Sequence, residues 1–166
     1  MPLSPLGIFH TVLAMSALIS VAMLLWQDKR INFERALAKF YLAATLLTAA
    51  SALAIFRHGA PNAAHGLAVL TIVAIVVGIL ASKVSFLGGV QKYFVELCFS
   101  STVLFHLLPT ATEILTRFPL DAPLVDSLEA PLLLKTFATI VTVFLVMGTL
   151  IDFYILMIMY RMRILR

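Results

Sequence analysis

Apolar positions in this chain run in long continuous blocks, without the period-two alternation of a half-buried strand or the single apolar stripe of a surface helix. Five blocks stand out, from Leu6 to Trp26, Ala36 to Phe56, Ala64 to Ala81, Tyr93 to Leu108 with an extension to Phe118, and Leu132 to Tyr160. A helix rises 1.5 Å per residue, so about 20 apolar residues match a hydrocarbon layer roughly 30 Å thick. The blocks approach or exceed that length, which predicts helices near 6–26, 36–56, 64–81, 93–118 and 132–160. Glu96 interrupts the fourth block, and Pro109 within it lacks an N–H and crowds the preceding turn, so a kink or an end is expected there. The fold class that follows is all-α: a polytopic transmembrane helical bundle, one domain over residues 1–166.

Composition sharpens this picture. Hydrophobic residues make up 62% of the chain and charged residues 12%, against roughly 45–50% and about 25% in soluble domains. A water-soluble fold cannot hide that much apolar surface. The net charge of +4 does not point to nucleic acid, because the cations sit singly or in small groups at the ends of apolar blocks, where they meet lipid headgroups.

The first block differs from a cleaved signal peptide: its cations, Lys29, Arg30 and Arg35, follow the apolar run. Sorting cations by loop places Lys29, Arg30, Arg35, Lys39, Lys83, Lys92, Arg161, Arg163 and Arg166 on one side, and Arg57, Arg117 and Lys135 on the other. The positive-inside bias therefore predicts the N-terminus outside and the C-terminus inside.

Apolar helices in lipid gain little by merely touching, so close packing relies on small side chains. Ala43, Ala44, Ala49, Ala50, Ser51 and Ala54 supply them in the second block, and Ser16 with Ser20 in the first. The loop after the fourth block holds Glu113, Asp121, Asp126 and Glu129 with Pro119, Pro123 and Pro131. It reads as a short lid or re-entrant corner, in which Leu124, Val125 and Leu128 form an amphipathic turn on the membrane surface.

Candidate chemistry centres on histidine. With that topology His10, His58, His65 and His106 all fall in the outer half of the membrane. Imidazole ligates haem iron, copper and zinc, and bundles build such sites from side chains on facing helices. An ionisable group inside an apolar segment tends to face a cavity, a partner or a cofactor. His10 and His106 form the natural pair, and His65 at the start of the third block can join them. Glu113 follows His106 by seven positions, on nearly the same helix face, and can orient an imidazole or bind a metal. The structural alternative is that these histidines are interfacial or hydrogen-bond a neighbouring helix.

On the inner side Glu96 and Asp152 lie near Lys39 and Lys92, either pairing with them or serving as proton-pathway residues that lead through Ser100, Ser101 or Thr102. Trp26, Tyr93 and Tyr160 read as interfacial anchors. Cys98 is the sole cysteine, which excludes an intrachain disulfide. Walker, dinucleotide, HExxH and GxSxG motifs are absent, which disfavours soluble-enzyme chemistry.

His10 in the first block, the loop QDKRINFERALAKFY and the later stretch LPTATEILTRFPLDAPLV resemble uncharacterised small bacterial predicted inner-membrane proteins, over most of the chain. That resemblance implies a bacterial inner membrane. The histidine in the first helix also looks like that of the membrane protoporphyrinogen oxidases and other small haem-associated bundles. Only His10 carries over from them, since their further haem-site patterns have no counterpart here.

The expected function is then a small multi-pass inner-membrane protein that binds haem b or a metal through His10, His106 and His65, with Glu113 as a further metal ligand, in a redox or cofactor-handling role. The alternatives are a non-catalytic accessory subunit of a larger membrane complex and a small proton-coupled transporter. Expected partners are the lipid bilayer and other membrane subunits or copies of the chain, with no nucleic acid.

Overall fold

The computed structural model describes residues 4–55, 62–86, 88–119 and 121–164, with side chains described as far as Gly148. Among the described residues there are five α-helices, one 3₁₀ turn and no strand: α1 (Pro5–Asp28), α2 (Ala36–Leu53), α3 (Ala63–Lys83), α4 (Gln91–Arg117) and α5 (Pro131–Ile164), with the 3₁₀ turn at Gly88–Val90. Each of the five is long and apolar enough to cross a membrane. The chain divides into two compact units, Met1–His106 and Leu107–Arg166.

Local chemistry explains where the helices begin and end. The Ser4 hydroxyl accepts from the Gly7 N–H at 3.1 Å and Pro5 occupies the first turn of α1, where a missing N–H costs nothing. Lys29 closes α1 in a left-handed conformation (φ 59°), its N–H returned to the Leu25 carbonyl. Asn62 caps α3 reciprocally with His65. α2 stops at Leu53, before the expected Phe56, because Ala54 and Ile55 donate to Ser51 and Ala52 and so tighten the last turn. Phe56 itself lies outside the described residues.

α4 continues through Pro109 to Arg117, so the proline does not end the helix. Proline removes one N–H, and hydroxyls in the following turns take up neighbouring carbonyls: Thr112 donates to Leu108 at 3.1 Å and Thr116 to Thr112 at 2.7 Å.

Within the first unit α2 is the central helix, burying Ala38, Tyr41, Leu42, Ala44, Thr45, Thr48, Ala49 and Ser51. The expected small-residue surface is therefore only half used. Ala44, Ala49 and Ser51 are buried, whereas Ala43, Ala50 and Ala54 lie on the opposite side and are exposed. Against α2 pack Ala17, Ser20, Val21 and Leu24 of α1, and the core extends to Ile75 of α3 and Phe99 of α4. Gly78 sets the approach of α3 to α4, since a Cβ there would lie 2.6 Å from Phe99 Cε1 and 3.0 Å from Cys98 Cβ. Phe99 also stacks on Phe33 of the α1–α2 connection, with ring centroids 5.8 Å apart.

In the second unit the chain after α4 folds back on the helix end, with Val125 donating to Leu115 at 3.1 Å and Leu124 to Phe118 at 3.3 Å. The run after α4 consists of bends and turns, on which Leu124 and Leu128 are exposed as expected, whereas Val125 is buried.

Candidate functional site

The polar groups of the first unit converge on one face of α2. Tyr41, Thr45, Thr48 and Ser51 follow one another at helical spacings of four, three and three, and all are buried. Tyr41 meets Thr102 of α4 at 2.6 Å, and Thr45 meets His106 of α4 at 3.1 Å. The two contacts are four residues apart on both helices, which makes α2 and α4 parallel neighbours. One turn further along α2, His10 of α1 reaches the Thr48 carbonyl at 3.1 Å and the Ser51 hydroxyl at 3.0 Å.

Hydrogen-bond direction follows from the acceptors. A carbonyl has no proton to give, so the contact with Thr48 requires the hydrogen of His10 on Nδ1. Ser51 donates its own hydroxyl to the same carbonyl at 2.8 Å, leaving its oxygen to accept from Nδ1. In neutral His10 the lone pair is therefore on Nε2. Holding Nδ1 on a carbonyl is also how a metal-ligating imidazole is oriented.

The α4 contacts run in the opposite sense. Thr102 donates to the Phe99 carbonyl at 2.6 Å, so Tyr41 must donate to Thr102. His106 Nε2 and the Thr45 hydroxyl pair one turn further along both helices. Tyr41 and Thr102 thus form a short chain that ends on the Phe99 carbonyl. A chain ending on a carbonyl is satisfied and has no onward acceptor for a proton.

The remaining sequence candidates are placed as follows. His65 is buried at the start of α3, its Nδ1 3.0 Å from Asn62 Oδ1 and 3.2 Å from the Asn62 backbone nitrogen, as part of the helix cap. Glu113 forms an ion pair with Arg117 one turn along α4, in the second unit. Glu96 is half-buried in the second turn of α4. Ser100 and Ser101 donate to the Leu97 carbonyl, at 3.3 and 2.6 Å, and Ser101 lines an apolar groove between α3 and α4 beside Leu70, Val73 and Phe105. The Asp152 side chain and all of His58 lie outside the described residues. Among the described residues no group of three or more His, Cys, Asp or Glu side chains comes together to hold a metal ion.

Sequence reasoning passed over Tyr41, Thr45 and Thr48 and read Ser51 only as a small packing residue. Their signal was present in the spacing, four polar groups on one stripe of an otherwise apolar helix. Comparison with protein-family models, with curated proteins and with solved structures finds no match to this chain.

Proposed function

We propose that this is a multi-pass protein of a bacterial inner membrane, N-terminus outside and C-terminus inside, that handles a cofactor through His10. The observation that carries the reading is the anchoring of His10 inside an apolar helix: its Nδ1 is held by the Thr48 carbonyl and the Ser51 hydroxyl, which fixes the ring against α2. His10 would hold haem b or a metal ion as one of its protein ligands. Haem bound there would supply one-electron transfer at the outer leaflet.

His106 supports ligation less directly than His10, because its Nε2 is engaged with the Thr45 hydroxyl, a contact that anchors α4 to α2. His65, engaged with Asn62, and Glu113, engaged with Arg117, support ligation less directly than His10 does.

The test is an absorption spectrum of the detergent-purified protein with elemental analysis beside it. A Soret band or a stoichiometric metal is expected, lost in His10→Ala and retained in His106→Gln. Wild-type protein expressed with haem and metal supplied, yet free of both, refutes the reading.

A non-catalytic subunit of a larger complex is the second reading. It is favoured by the His106–Thr45 and Tyr41–Thr102 pairs between α4 and α2, the second of which closes on a backbone carbonyl, a polar core that holds helices together. Purification in mild detergent would then recover a fixed partner in constant ratio. Proton-coupled transport has less support, because Ser100, Ser101 and Thr102 all donate to carbonyls of their own helix.

A further inference from the structure

The end of the first unit away from His10 has a different chemistry. Phe33 of the α1–α2 connection stacks on Phe99 near the start of α4. Gln91, the first residue of α4, donates to the Ala81 and Ser82 carbonyls at the close of α3, at 2.9 and 3.2 Å. Both connections therefore lie at one end of the bundle. Six exposed cations gather there, Lys29, Arg30, Arg35, Lys39, Lys83 and Lys92, against three acids, Asp28, Glu34 and Glu96. Asp28 is paired with Arg35.

Three of the cations are seated on aromatic rings. The Lys29 ammonium lies 5.4 Å from the Trp26 ring centre, Lys39 lies 5.9 Å from Phe33, and Lys92 lies 5.1 Å from Tyr93. A lysine held against a ring gives up less rotamer freedom on meeting an anion than one that swings in water. Trp26 and Phe86 at the same end are 81% and 83% exposed, the depth signature of side chains that rest among headgroups and upper acyl chains.

We propose that this end binds the phosphate headgroups of anionic phospholipids, with Lys29, Lys39 and Lys92 as the principal contacts and Trp26 and Phe86 setting the depth. The occupant is lipid and not a free anion, because the cations form a collar around helix ends and are flanked by exposed aromatic rings. This surface is separate from the His10 site, and it stands whether or not a cofactor binds there.

The test is native mass spectrometry of the delipidated, detergent-purified full chain, titrated with phosphatidylglycerol or with phosphatidylcholine of the same acyl chains. Each lysine near an anionic surface contributes about a fivefold gain, so three predict roughly a 100-fold preference for phosphatidylglycerol. The triple substitution Lys29→Gln, Lys39→Gln, Lys92→Gln should remove most of it. The triple Lys→Arg variant keeps charge and ring stacking and should bind as wild type, which separates lost contacts from lost fold. Equal affinity for the two lipids, or a triple glutamine variant that still prefers phosphatidylglycerol, overturns the proposal. Displacement of the lipid by orthophosphate at constant ionic strength also overturns it, by revealing a simple anion site.

Discussion

Thr45 is the α2 partner of His106, and removing its hydroxyl is the most direct probe of that buried contact. Thr45→Val keeps the branched shape of the side chain and deletes the hydrogen-bond partner of His106 Nε2. Interhelical hydrogen bonds in bilayers average about 0.6 kcal/mol and reach about 1.7 kcal/mol. His106 is 7% exposed and Thr45 is 0% exposed, so water does not readily replace the lost hydroxyl. Removing one partner of a buried hydrogen bond costs about 1–3 kcal/mol, and that range is expected for Thr45→Val. Thr45→Ser, which deletes one buried methyl and keeps the hydroxyl, should cost less than about 1 kcal/mol.

The assay is reversible unfolding in mixed micelles, followed by helical circular dichroism, on both single variants. The single variant His106→Leu and the double variant Thr45→Val, His106→Leu complete a thermodynamic cycle. A coupling of at least about 1 kcal/mol is expected. If valine and serine at position 45 destabilise equally, and the cycle is additive within about 0.5 kcal/mol, the Thr45–His106 hydrogen bond does not exist as described.

Gly78→Ala should destabilise the first unit by about 1–3 kcal/mol, since the added Cβ would sit 2.6 Å from a ring that is itself 0% exposed and stacked on Phe33. Thermal unfolding in detergent checks it, with partial recovery in Gly78→Ala, Phe99→Leu. For the proposed orientation, single cysteines at Asn32 and Ala122 in a Cys98→Ala background should differ in intact cells. Ala122→Cys takes up a membrane-impermeant maleimide, and Asn32→Cys does so only after permeabilisation; labelling of both in intact cells contradicts the threading.

The candidate site was only partly visible before the helices were packed. His10 and His106 stand out in the chain because an ionisable group in an apolar run is costly enough to draw notice wherever it points. What each imidazole does was not visible, because that depends on residues 38, 41 and 61 positions away in sequence. The seven-residue spacing placed Glu113 on the His106 face, yet Arg117 lies one turn away and pairs with it, a local contact that i,i+4 geometry makes easy. Small residues on α2 misled in a similar way. Composition counts alanines around the whole helix, whereas packing uses only one face, and the face chosen is the one carrying Tyr41, Thr45 and Thr48.

Hydropathy alone was sufficient for five helices and nearly all of their limits, because lipid leaves a backbone no partner but itself and every spanning segment must close its own hydrogen bonds. Capping chemistry at Ser4 and Asn62 acts over three or four residues and is legible for the same reason. Register between helices is another matter. Apolar surfaces slide past one another at little cost, so the pairing of Tyr41 with Thr102, Thr45 with His106 and Thr48 with His10 is settled only when buried polar groups find one another in three dimensions.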